Sequence, residues 1–338
     1  MADVLTIGSA LEDIIFQTSQ GRLISPSSSV EPDALQYLGF EFGAKISIDS
    51  ARFYTGGGAC NAAVCLKKFG LSSAVCARVG ADNSGKKIQQ ELQDAGVDIS
   101  LMQIDDQEHT GASLALIKTP ETEHVVFVFR GANEHLLFEK EKAASIHPSW
   151  AYITALQGPG WERALGDVVA YCARHDIAVA WNPGVRQLAL PKEAFIAFAR
   201  HMYVLLVNKE EAHQILAHHK EREPQDADCA HIAQKLLSCG SSWVIVTDGT
   251  NGACASSATH QFFVPALHVA SVDTTGAGDA FGSTLVAALL TNSGNMEEAL
   301  KYAIVNAAAV TTEIGAQHGL LRREEIEKQL DRVPVEHE

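Results

Sequence analysis

From about residue 150 onward, strand-like apolar runs and amphipathic helical stretches take strict turns along the chain. Strands are predicted at 151–155, 177–181, 203–207 and 243–247, with helices at 162–174, 192–199, 209–217 and 227–238 between them. Short strands at 253–256 and 261–264 precede helices at 278–291, 297–312 and 322–331. Strands separated by whole helices run parallel, and such a sheet must be covered on both faces. The chain is therefore read as α/β with a mainly parallel central sheet. In such sheets ligands bind beyond the carboxyl ends of the strands, so the loops that follow strands are where chemistry is sought.

The amino-terminal half interrupts this order. A short strand at 3–8 ends at Gly8, but residues 12–55 mix β-branched, aromatic and polar residues around a loop at Ser25-Pro-Ser-Ser-Ser29. The order resumes at Gly56-Gly-Gly-Ala-Cys-Asn61, where Ala62, Cys65, Leu66 and Phe69 recur at helical spacing up to Gly70. A strand at 73–79 and a helix ending at Gly96 follow. Apolar runs at 112–118 and 124–129, with a polar turn between them, read as a hairpin. Residues 1–338 are thus expected to form one domain, with a small β-sheet lid drawn from about 12–55 and 104–130.

Charge and composition exclude some functions. A formal charge of −15 disfavours a nucleic-acid partner, because phosphate contacts need clustered Lys and Arg. There is no apolar run long enough for a membrane span and no basic leader, so a cytoplasmic location is expected. The seven cysteines contain no Cys-x-x-Cys pair and are read as reduced, buried thiols.

The segment Val272-Asp-Thr-Thr-Gly-Ala-Gly-Asp-Ala-Phe281 carries the chemistry. Phe281, Leu285, Ala288 and Leu289 define one helical face, so a helix begins near Gly278. The N–H groups of Gly276, Ala277 and Gly278 then lack helical partners and, with the helix dipole, form a site for an anion. Asp279 lies in the first turn. Its residue type suits either a dipole-stabilising carboxylate or a base beside a bound phosphoryl group.

The string Asp273-Thr-Thr-Gly-Ala-Gly-Asp279 resembles the carboxyl-terminal motif of the ribokinase-like carbohydrate kinases, and Gly56-Gly-Gly-Ala-Cys-Asn-Ala-Ala63 resembles their amino-terminal motif. Asn208-Lys-Glu-Glu211, Thr247-Asp-Gly-Thr-Asn-Gly252, Asn306-Ala-Ala-Ala309 and Gly315-Ala-Gln317 fall in the family's order. The resemblance implies a three-layer α/β/α fold with a lid. It implies a kinase dependent on ATP and Mg²⁺ that phosphorylates a primary hydroxyl of a sugar by in-line transfer. In that pattern Asp279 is the base and residues 276–278 are the anion hole. Asn208 and Glu211 organise Mg²⁺ and phosphate through water, although an Asn cap with Glu at the third helical position is an equally natural reading. Thr247, Gly249 and Gly252 receive the nucleotide, Asn306 lies near the adenine, and Asp273, Thr275 and Gly315 hold K⁺.

For the acceptor, Asp13, Gly56, Gly57 and Asn61 match the family's sugar site, and a carboxylate suits a vicinal diol. Leu11 replaces the Asn usual in ribokinase and matches adenosine kinases, while Gln157 stands where a ribokinase would carry an acid. Phe16, Phe40, Phe42, Phe53, Phe127 and Phe129 suit either nucleobase stacking or lid packing. Arg130-Gly-Ala-Asn133 resembles a segment of the family's sugar kinases. The alternatives are a nucleoside kinase acting on a ribose 5′-hydroxyl and a nucleotide-binding protein without turnover. An exposed lid sheet also invites a homodimer. A dinucleotide-dependent oxidoreductase is disfavoured, since no Gly-x-Gly-x-x-Gly follows a strand.

Overall fold

A computed structural model describes residues 2–24, 37–119, 124–221, 223–224 and 226–333, apart from the His124 side chain. The predicted loop at Ser25–Ser29 and residues 120–123 of the predicted hairpin turn lie outside the described residues.

Eight strands form the main sheet. In spatial order they are Gln261–Pro265, Gly252–Ser256, Trp243–Thr247, Val204–Asn208, Ala178–Trp181, Trp150–Ile153, Val4–Ile7 and Ser73–Cys76. The six from Trp243–Thr247 to Ser73–Cys76 are parallel, and the two at the other edge pair antiparallel. The parallel strands are apolar at nearly every position because both faces are buried. Leu205 and Val207 join the core beneath the helices Trp161–Arg174 and Cys229–Leu236. Val204 and Leu206 join the opposite core, beneath Ala277–Thr291 and Met296–Val310. The fold is the expected α/β arrangement with helices on both faces.

Three local departures have physical causes. The strand expected at 73–79 breaks after Cys76, because Arg78–Gly80 leaves the main sheet to pair in parallel with Gln103–Asp105. The helices expected at 227–238 and 322–331 end sooner, each tightening into a 3₁₀ turn, at Leu237–Cys239 and Leu330–Arg332. The reading of all cysteines as reduced thiols is corrected at two positions. The helix Cys229–Leu236 packs across the strand Gly252–Ser256 and brings Cys229 and Cys254 together in a disulfide with Cα atoms 5.8 Å apart. The other five cysteines are buried and free.

A second sheet of four strands stands on the main one, in the order His124–Phe129, Gly111–Lys118, Leu11–Thr18, Ser50–Gly56. Its strands leave and rejoin the main sheet beside the ends of Val4–Ile7 and Trp150–Ile153. The chain passes from Val4–Ile7 to Ser73–Cys76 on one side and then crosses back to Trp150–Ile153 on the other, so the ends of Val4–Ile7 and Trp150–Ile153 form the topological switch point where α/β sheets bind ligands.

Candidate active site

Two helix starts meet over this switch point. Gly57, with φ 95°, caps Gly58–Phe69, and a side chain there would strike the Ser9 carbonyl. Gly276, with φ 80°, caps Ala277–Thr291 and lies tight against Ala316. Both turns need the left-handed backbone that glycine adopts at least cost. A Cβ on Gly58 would come within 3.2 Å of Asp279 Oδ1, so the glycine-rich start of one helix abuts the carboxylate of the other.

The Asn61 amide donates to Asp279 Oδ2 at 2.8 Å. Burial pushes the Asp279 carboxyl above its ordinary value, and the Asn61 bond opposes that shift. The N–H of Ala277 donates to Thr274 O at 3.2 Å, which closes one of the three expected anion donors. Among the described residues the N–H groups of Gly276, Gly278 and Asp279 have no hydrogen-bond partner. The open donors at this helix mouth are therefore 276, 278 and 279, beside the carboxylate.

Asp13 lies on the second sheet against Gly56, where any side chain would overlap its carboxylate. Ser113 Oγ donates to Asp13 Oδ1. Burial, with the charges of Asp279 and Asp273, raises Asp13 to about 6, although the Ser113 bond works the other way. Leu11, Asp13, Tyr54 and Ser113 share one face of this sheet by strand register. Phe16, Phe53, Phe127 and Phe129 occupy the opposite face, so these four aromatics do not face Asp13. Of the other two phenylalanines considered, Phe40 and Phe42 lie outside this sheet and are exposed. At the neighbouring strand end, Arg130 Nη1 donates to Gln157 Oε1.

Asn208 and Glu211 form a reciprocal cap: Asn208 Oδ1 accepts from Glu211 N at 2.8 Å, and Glu211 Oε2 accepts from Asn208 N at 2.9 Å. The capping reading thus holds, yet burial also raises the Glu211 carboxyl. Glu211, Asn182, Thr247 and Gly278 line a cleft of about 100 Å³. Among the described residues no cluster of three acidic, His or Cys ligands exists to enclose a metal. A single half-buried carboxylate beside space for water suits Mg²⁺, which keeps most of its waters and takes phosphate oxygens.

Asp273, Thr275 and Gly315 come together. Asp273 Oδ1 accepts from Thr275 N at 2.9 Å and Thr275 Oγ1 at 2.7 Å, and Oδ2 accepts from Gly315 N at 2.9 Å. A largely apolar cleft of about 300 Å³ opens behind Ala277, lined by Gly249, Leu267, Val269, Ile304, Ala307 and Ala308. Two predicted residues lie apart from it. Gly252 sits inside the sheet opposite Pro265, where a Cβ would strike Val264 O. Asn306 is fully buried; its amide donates to Thr284 Oγ1 at 2.7 Å and accepts from Leu321 N at 2.8 Å.

Sequence reasoning gave no role to Gln317, Ser113 or Asn182, whereas Ala307 and Ala308 belong to the Asn306-Ala-Ala-Ala309 stretch that the resemblance set near the adenine. Gln317 had a signal, its place in Gly315-Ala-Gln317. Ser113 had none, because only strand pairing brings it to Asp13.

Residues 30–323 match the profile of the pfkB family carbohydrate kinases. Ribokinase of Bacillus subtilis is 27% identical over 275 residues, covering 81% of this chain and 87% of the relative. The structure of Arabidopsis thaliana ribokinase complexed with ribose and ATP superposes with a TM-score of 0.78 at 20% identity, covering 97% of this chain and 98% of that one. The Methanocaldococcus jannaschii nucleoside kinase gives 0.75 at 22% identity, covering 98% of both chains. The chain belongs to the pfkB family of carbohydrate kinases. It is a phosphotransferase with an alcohol group as acceptor. Among the described residues no helix is long and apolar enough to cross a membrane.

Proposed function

We propose that this chain transfers the γ-phosphoryl group of ATP to a primary hydroxyl of a sugar, with Asp279 as general base. The observation that carries this reading is the Asp279 carboxylate, held by Asn61 at 2.8 Å beside the open N–H groups of 276, 278 and 279. Asp13, with Gly56 and Gly57 leaving room beside it, would accept the acceptor's hydroxyls. Asp279 would take the proton of the attacking hydroxyl while the open donors hold the transferring phosphoryl group. Because phosphoryl transfer depends chiefly on positioning and charge stabilisation, these groups suffice in kind.

The adenine would occupy the apolar cleft at Leu267, Ile304 and Ala308, with its phosphates running past Gly249 and Thr247 toward Gly278. Glu211 would hold Mg²⁺ through water, and the bound ion supplies charge neutralisation on the phosphates. K⁺ would sit at the loops joined by Asp273, Thr275 and Gly315. The four-stranded sheet would act as a lid over the acceptor and exclude water. Its Asp13-distal face, where Phe53, Phe127 and Phe129 are each at least half exposed, would receive a second copy of the chain.

A nucleoside acceptor is a second reading, favoured by Leu11, which lies opposite Gly56 where ribokinases carry Asn. A coupled assay over pentoses, hexoses, keto-deoxy acids and nucleosides decides between them. Asp279→Asn should lower turnover on the best acceptor by at least about a hundredfold while nucleotide binding persists. Turnover within a few-fold of wild type would remove Asp279 from the role of base. Sedimentation of wild type and Phe127→Asp tests the dimer.

A further inference from the structure

Gln317 lies one hydrogen bond behind the catalytic pair. Its Nε2 donates to Asn61 Oδ1 at 2.9 Å and to the Thr55 carbonyl at 3.1 Å. Asn61 in turn donates from Nδ2 to Asp279 Oδ2 at 2.8 Å. A side-chain amide has a donor end and an acceptor end, and nothing within the amide itself decides which faces a partner. For Asn61 the choice has consequences. The observed orientation offers an N–H to a buried carboxylate, whereas the flipped one would set a carbonyl oxygen against it.

We propose that Gln317 is a positioning residue that fixes the Asn61 amide with its donor toward Asp279 and ties that orientation to the base of the second sheet through Thr55. The proposal rests on the kinase reading only for its consequence in turnover. Thr55 is adjacent to Gly56, which borders Asp13, so one amide touches both the hinge of the acceptor sheet and the support of the base. Gln317 reaches no reacting atom itself. It has two acceptors for its single Nε2, and both are backbone or amide oxygens, so no change in its own ionisation is involved. The other titratable groups that sense Asp279 are Asp13, Cys60, Cys65 and Tyr152. Gln317 is bonded to none of them, which leaves Asn61 as its route to the base.

Gln317→Leu removes the donor and keeps the bulk. Asn61 Oδ1 then loses its donor and Asp279 alone holds the amide, so the bond to the carboxylate loosens, and a carboxylate whose donor is less firmly held ionises less readily. Turnover should fall by about tenfold, the usual weight of a hydrogen bond to a charged group. The acid limb of the kcat–pH profile should move to higher pH, with the nucleotide KM unchanged. Gln317→Glu is the second variant. Its carboxylate accepts from Asn61 Nδ2, pulling the amide to the flipped orientation, so its loss should exceed that of Gln317→Leu at neutral pH and shrink in acid. A ¹³C-carboxyl NMR titration of Asp279, assigned with Asp279→Asn, gives a readout that needs no turnover and keeps this test separate from the kinase assay. An upward shift in Gln317→Leu supports the proposal. An Asp279 titration identical to wild type in both folded variants, folding being checked by nucleotide binding, overturns it even if the chain proves to be a kinase.

Discussion

Asp273 and Gly315 lie 42 positions apart, yet the Gly315 N–H donates to Asp273 Oδ2 at 2.9 Å. The bond fastens the loop before the anion-binding helix to the turn that carries Gln317. The other Asp273 oxygen holds Thr275 from below, so one carboxylate sets the shape of both loops.

Asp273→Ala should therefore loosen both loops at once. We expect kcat to fall by about tenfold or more, since three bonds to a charged acceptor are lost. If K⁺ sits here, the variant should also lose any stimulation by K⁺ over Na⁺ at equal ionic strength. Initial rates in the two salts, for wild type and variant, make the comparison. Equal K⁺ stimulation in both proteins would place the cation elsewhere.

Asp13 gives a pH prediction with a definite sign. Its folded value of about 6 lies above the ordinary 3.8, so between these values the native state holds more protons than the unfolded chain. Stability from this group therefore falls as pH rises from about 4 to 6 and is level above that. Asp13→Asn should remove this slope and stabilise the protein at pH 7 by about 1–3 kcal/mol, read from urea melts at pH 4 and pH 7. The acceptor KM should respond in the opposite sense. It should rise as pH drops through 6 in wild type, because a protonated carboxyl cannot accept two hydroxyls.

The apolar cleft gives a simpler test. Ala308 lies on its wall, and Ala308→Phe would fill a large part of its roughly 300 Å³. The nucleotide KM should rise by at least about tenfold, from lost contact and lost volume together. The acceptor KM should stay within about twofold, since Asp13 and Gly56 belong to a different sheet. A matched rise in both constants would mean that the cleft is not a separate nucleotide pocket.

The main sheet was legible because strands buried on both faces leave continuous apolar runs, such as Val204 to Val207. Asp279 and Asn61 were legible because glycine-rich helix starts mark them locally. Their bond across 218 positions was not, since no local pattern records which helices meet. Ser113 was invisible for the same reason. Phe127 and Phe129 were legible as strand residues, but their face follows from register, and register comes only with the partner strand. The turn of the Ala277 N–H back to Thr274, outside the helix, was not legible because it depends on how Gly276 is twisted.

Asn306 shows how a motif match and a contact can separate. The resemblance sets it near the adenine, but the structure turns its amide inward to Thr284, Cys65 and the Leu321 backbone. Its neighbours Ala307 and Ala308 face the cleft instead. A buried amide with each end engaged cannot be exchanged for an apolar side chain without stranding its partners. Asn306→Leu leaves the Leu321 N–H without its acceptor and Thr284 Oγ1 without its donor, while adding branched bulk to a packed site. We expect a loss of about 2–4 kcal/mol in unfolding free energy. Nucleotide affinity, measured by calorimetry well below the melting temperature, should change by less than about threefold. The two measurements separate the roles cleanly: a residue that touched the purine would lose affinity at any temperature, whereas a residue that holds two helices and a loop together loses it only as the fold is lost.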